Sequence, residues 1–80
     1  VVPADKLLET GLELAGDMLK TAPMGLRMTK ESLNALSQIS SIEAALALED
    51  RQQILLMETA DHREAIAAFK EKRAPNFTDT

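Results

Sequence analysis

Two residues near the end of the chain are of types that can do chemistry together. Phe69 and Lys72 lie in AIAAFKEKRAPNF, Ala65 to Phe77, which holds both phenylalanines of a protein with no Tyr and no Trp. A ring beside a flexible ammonium can receive a nucleotide, the aromatic supporting the base and the Lys meeting a phosphate. Ile66, Phe69 and Arg73 fall at helical three-to-four spacing, and Ala65 and Ala68 leave a low surface beside the ring. Lys70, Lys72 and Arg73 form a cationic last turn, which the dipole favours at a helix C-terminus. The same residues admit a purely structural reading: Phe69 anchors the helix, Phe77 pins the tail, and the bases are solvated.

Other candidate groups carry less. Glu49 and Asp50 are adjacent in EDRQQ, so on a helix they diverge by about 100° and cannot share a substrate. They read as a salt-bridged polar girdle, with Arg51 placed for a subunit contact. His62 is the one histidine; in the first turn of the last helix its imidazolium is disfavoured by the dipole, and it reads as an exposed surface residue. Ser32, Ser37, Ser40 and Ser41 lack the His–acid partners of a nucleophile. GLELAG has two glycines but no strand–loop–helix setting for a phosphate. With no Cys and a single His, neither a thiolate nor a multi-histidine metal site can be built. The chain on its own carries no catalytic constellation.

The elements that position these groups are helical. Leu7, Leu8, Gly11, Leu12, Ala15, Met18 and Leu19 share one face of a first helix, with Asp5 and Glu9 near its start and Lys20 near its end. Close packing on a neighbour would explain Gly11 on that face. Pro23 suits the first turn of a second helix, with a thinner stripe of Leu26, Leu33 and Leu36. Ser40 with Glu43, and Asp61 with Glu64, have capping-box spacing and predict the next two starts. The third helix is apolar nearly all round at Ala44–Leu48 and Ile54–Met57, a pattern that wants burial on more than one side. Pro75 stops the last helix. The expected fold is all-α: four helices over about 4–20, 23–36, 41–59 and 62–73, with short connections.

Bulk properties narrow the function. Eighty residues make at most one domain, and a chain this size buries only about 60–65% of its unfolded surface. It is 45% hydrophobic and 28% charged, as globular chains are. A net charge of −4 argues against general nucleic-acid binding, and no apolar run approaches the ~20 residues of a membrane span. No targeting segment is visible, so a cytoplasmic location is expected. VVP at the start reads as a strand end with a Pro stop, left either by processing or, the favoured reading, because the chain was cut from a longer one.

ADHREAIAAFKEKRAPNF resembles the C-terminal signature of the crotonase family, the enoyl-CoA hydratase/isomerase superfamily. Asp61, Glu64, Ala68-Phe69, Glu71-Lys72-Arg73, Pro75 and Phe77 match in order, with Ala65 where Gly is common. VVPADKLLETGLELAGDMLKTAP is similar to the family's strand end, Pro and long helix, and LRMTKESLNAL to the helix that follows. The resemblance implies a spiral of βαβ units followed by a helical C-terminal region, which drives trimer formation, often as a dimer of trimers. It implies an acyl-CoA thioester as substrate, with coenzyme A as part of that substrate and no separate cofactor. The shared chemistry would stabilise a thioester enolate with two backbone N–H groups, and hydratases add two glutamates. Those groups belong upstream, so this chain would have no catalytic residue of its own. Phe69 and Lys72 would contact the CoA end of the ligand. The competing expectation is a self-contained helical interaction module with no ligand.

Overall fold

The computed structural model describes residues 1–80, and the chain is all-α with no strand. A short 3-10 turn at Ala4–Lys6 leads into α1, Leu7–Met18; α2 is Pro23–Leu36, α3 Ile42–Met57 and α4 Ala60–Glu71. Val1 and Val2 are coil, because no other extended segment is present to pair with them. Pro23 takes the first position of α2, where its missing N–H costs nothing. No helix is long and apolar enough to cross a membrane.

Both expected capping boxes are displaced. Ser41, not Ser40, caps α3, accepting the Ala44 N–H at 3.3 Å. That places Ala44, not a Glu or Gln, at the third helical position, so no side chain returns the bond. Thr59, not Asp61, caps α4 and accepts the His62 N–H at 3.1 Å. Its hydroxyl also donates to the Leu56 carbonyl at 2.6 Å, so one threonine closes α3 and opens α4. As a result α4 begins two residues earlier than its expected span of 62–73; it also ends two residues earlier, at Glu71.

α2 packs on α3 and α3 on α4, while α1 makes no comparable packing with these three. The result is a plate of 43 × 40 × 18 Å with a radius of gyration of 15.8 Å. A compact chain of this length would have a radius near 12 Å. Its accessible surface is 6645 Å², about 1,900 Å² more than expected for its mass. That excess is over twice the ~800 Å² one partner contributes to a standard interface. Much of it is apolar: Leu8, Leu12 and Leu19 on or beside α1 and Ile42, Leu46 and Ile54 on α3 are all exposed. A Cβ on Gly11 or Gly16 would meet nothing, so within this chain Gly11 has no close neighbour. Ala68 is the single fully buried apolar residue.

EDRQQ does not form the expected salt-bridged girdle. The ion pairs lie elsewhere, at Lys6–Glu9, Lys20–Asp17, Arg27–Asp79 and Arg73 with Glu64 and Glu71. Gln52 instead turns to α2 and accepts the Ser32 hydroxyl, satisfying one of the few buried polar groups of the chain.

Candidate functional site

The candidate site is the end of α4. Helix geometry holds through Glu71 and then stops at Lys72, which adopts φ 55 and ψ 43, the left-handed conformation. The Arg73 N–H donates back to the Ala68 carbonyl at 3.0 Å, and the Lys72 N–H to the Phe69 carbonyl at 3.3 Å. These bonds close the last turn in the manner of a Schellman cap. The stop therefore comes three residues before Pro75, and Lys72 and Arg73 lie outside the helix. Three-to-four spacing no longer describes Phe69 relative to either of them.

Phe69 is 85% exposed, so it does not anchor α4 within this chain. Phe77 does the expected pinning: it is half-buried against a groove of about 360 Å³ shared with Thr21, Gly25, Thr59 and Ala65. Of the three bases, Arg73 is fully engaged, while Lys70 and Lys72 form no ion pair. Arg73 Nε meets Glu71 at 2.6 Å, and its two terminal nitrogens meet the two oxygens of Glu64, Nη2 at 3.2 Å. The bidentate Arg73 contact, with the Asn76 N–H at 3.0 Å, holds the Glu64 carboxyl down to about 2 from its ordinary 4.5. The same contacts raise the Arg73 guanidinium. What remains free is a bare ring and two ammonium groups, a surface suited to an aromatic base and phosphates rather than to proton transfer.

Asp61 has a role its sequence position did not suggest. It is 2% exposed and accepts the N–H groups of Thr78 and Asp79, each at 2.8 Å. Its own N–H donates to the Thr80 carbonyl at 2.9 Å. Asp79, also left-handed at φ 61, pairs with both terminal nitrogens of Arg27 on α2, at 2.8 and 3.2 Å. That contact lowers the Asp79 carboxyl and raises the Arg27 guanidinium. The tail thus runs back along α4 to reach α2. Arg27 and Asp79 are far apart in the sequence, and no local spacing marks them as partners.

His62 is half-buried rather than exposed, and it faces a groove lined by residues of α2 and α3. It ends a groove of about 550 Å³ between those helices, lined also by Met28, Leu36, Gln52 and Leu56. No three acidic or imidazole groups converge at metal-binding spacing.

The model of the enoyl-CoA hydratase/isomerase family matches residues 1–80. A 2,3-dehydroadipyl-CoA hydratase of Escherichia coli is 40% identical over 77 residues, covering 96% of this chain and 30% of that protein. A 1,2-epoxyphenylacetyl-CoA isomerase of the same organism is 33% identical over 78 residues, covering 98% of this chain and 29% of that protein. The crystal structure of an enoyl-CoA hydratase from Bacillus anthracis superimposes with a TM-score of 0.91 at 30% identity, over 100% of this chain and 31% of that one. The chain therefore spans about 30% of the length of the relatives it matches. A hydratase and an isomerase match alike, so this segment does not separate the two reactions.

Proposed function

Since the chain belongs to the enoyl-CoA hydratase/isomerase family, we propose that it is the C-terminal oligomerisation and acyl-CoA-covering segment of such an enzyme. Hydration of a 2-enoyl-CoA is the reaction proposed for the whole protein. The observation that carries this reading is the end of α4, where a bare Phe69 ring is followed by a Lys72 with no ion pair. A solvent-exposed phenyl ring, followed three residues on by an ammonium without an ion pair, suits a ligand that brings both an aromatic face and phosphates. Coenzyme A brings both. The exposed apolar faces of α1 and α3 support the other half of the reading, in which copies of the protein and the rest of its fold cover them.

Lys72→Ala in the full-length enzyme tests the site. KM for a CoA thioester should rise about five- to thirtyfold, the worth of one charge-assisted contact of about 1–2 kcal/mol at a partly exposed position. KM for the same acyl group on pantetheine, which lacks the nucleotide, should stay near its original value. The effect belongs in KM rather than kcat, because the contact is remote from the reacting carbon. Equal effects on the two carriers would reduce Lys72 to a solvated surface charge. The 80-residue chain alone should not hydrate a short enoyl-CoA, since the resemblance places the oxyanion donors and the two glutamates in the part of the enzyme upstream of it. Turnover above background by the pure chain would overturn this.

A further inference from the structure

A lysine, not a glycine, takes the left-handed turn at the end of α4. Residues with a long side chain rarely occupy that conformation unless the surroundings impose it. The imposing group is the next residue. Arg73 donates its backbone N–H to Ala68 and spreads its guanidinium over Glu64 on one side and Glu71 on the other. Glu64 in turn holds the Asn76 N–H, so the chain is gripped both before and after Lys72.

This grip has two effects on Lys72. It sets the backbone direction from which the side chain departs. It also occupies Glu71, next to Lys72 in the chain, and Glu64, two turns back along α4, and Lys72 forms no ion pair. A lysine neutralised by a neighbouring carboxylate would have to give up that contact before meeting a phosphate.

We propose that Arg73 is a positioning residue for Lys72: by spanning Glu64 and Glu71 it holds the left-handed turn and keeps both carboxylates off the ammonium. The inference rests on the reading of Lys72 as a contact to the nucleotide end of coenzyme A. It adds that the contact depends on an arginine that does not itself touch the ligand.

A double-mutant cycle in the full-length enzyme tests it, reading KM on the CoA thioester against KM on the pantetheine thioester. Arg73→Gln should raise the CoA value roughly three- to tenfold, within the range of coupling seen between neighbouring charged groups, and leave the pantetheine value unchanged. Added to Lys72→Ala, it should bring no further rise. Glu64→Gln, which keeps an acceptor for Asn76 but loses the charge, should move the CoA value in the same direction by a smaller factor. A carrier-selective Lys72→Ala with a silent Arg73→Gln would overturn the positioning role and leave the site reading intact. A Lys72→Ala without carrier selectivity would overturn the site reading itself. An undiminished Arg73→Gln effect in the Lys72→Ala background would mean that Arg73 meets the ligand directly, which also overturns the proposal. Should Arg73→Gln fail to fold, Glu64→Gln decides: an unchanged ratio between the two carriers overturns the proposal, and a raised ratio supports it.

Discussion

Asp61, Glu64 and Arg73 tie the tail to α4, and Arg27 ties it to α2, whereas α1 and α3 present Leu8, Leu12, Ile42 and Ile54 to solvent. The contrast follows from the two kinds of interaction. Hydrogen bonds are directional and can be completed by a few residues at the right angle. Apolar burial is non-directional and scales with area, and an 80-residue plate 18 Å thick has little area to give. The α4–tail region is therefore specified within this chain. The α1 and α3 faces are apolar surfaces that this chain leaves uncovered.

The largest effect expected from this contrast concerns α1 and α3. The isolated chain should not persist as a compact monomer at micromolar concentration, given some 1,900 Å² of surface beyond the expected value. Sedimentation should show self-association, and Leu8→Lys with Leu12→Lys should shift the population toward smaller species. A stable compact monomer would break the comparison, because α1 and α3 would then be self-sufficient after all.

Asp61 comes next. In the full-length protein Asp61→Ala leaves two tail N–H groups without their acceptor and opens a nearly buried site. The expected cost is about 2–4 kcal/mol, from unsatisfied donors of roughly 1–3 kcal/mol each with some recovery through water. Hydrogen exchange at Thr78 and Asp79 should accelerate well beyond any change in α2 or α3. Unchanged exchange there would mean the tail is held by Phe77 and Arg27 alone.

The smallest expected effect is pH dependence. Glu64 is held at about 2 against an ordinary 4.5. Its folded value is the lower one, so its grip is fully present above about 4.5 and fades as pH falls toward 2. Asp79 is lowered in the same sense by Arg27. The amide resonance of Asn76 should shift across the Glu64 window, that of Asp79 should shift as its own carboxylate protonates below the ordinary carboxylate range, and Glu64→Gln should remove the change at Asn76. Because these groups are solvent-accessible, the effect on global stability should be slight.

The sequence by itself determined that the chain is all-α, with breaks near Pro23, the Ser40–Ser41 pair and the Thr59–Asp61 stretch. Local preferences carry that information: apolar spacing, proline and hydroxyl caps act over four residues or fewer. The resemblance of the eighteen-residue signature from Ala60 to Phe77 to one family was also legible, because order and spacing along the chain are one-dimensional facts. The α4–tail architecture was not. Asp61 had the spacing of a cap, yet Thr59 took that place, since its hydroxyl could serve α3 and α4 at once. Lys72 had helical spacing from Phe69, yet the helix ended before it, in a left-handed turn closed by the Arg73 N–H on the Ala68 carbonyl. Arg27 found Asp79 across most of the chain. Each outcome turned on which of several available partners, near or far along the chain, a polar group met. That choice is made by directional bonds in three dimensions, and only the tertiary structure decides it.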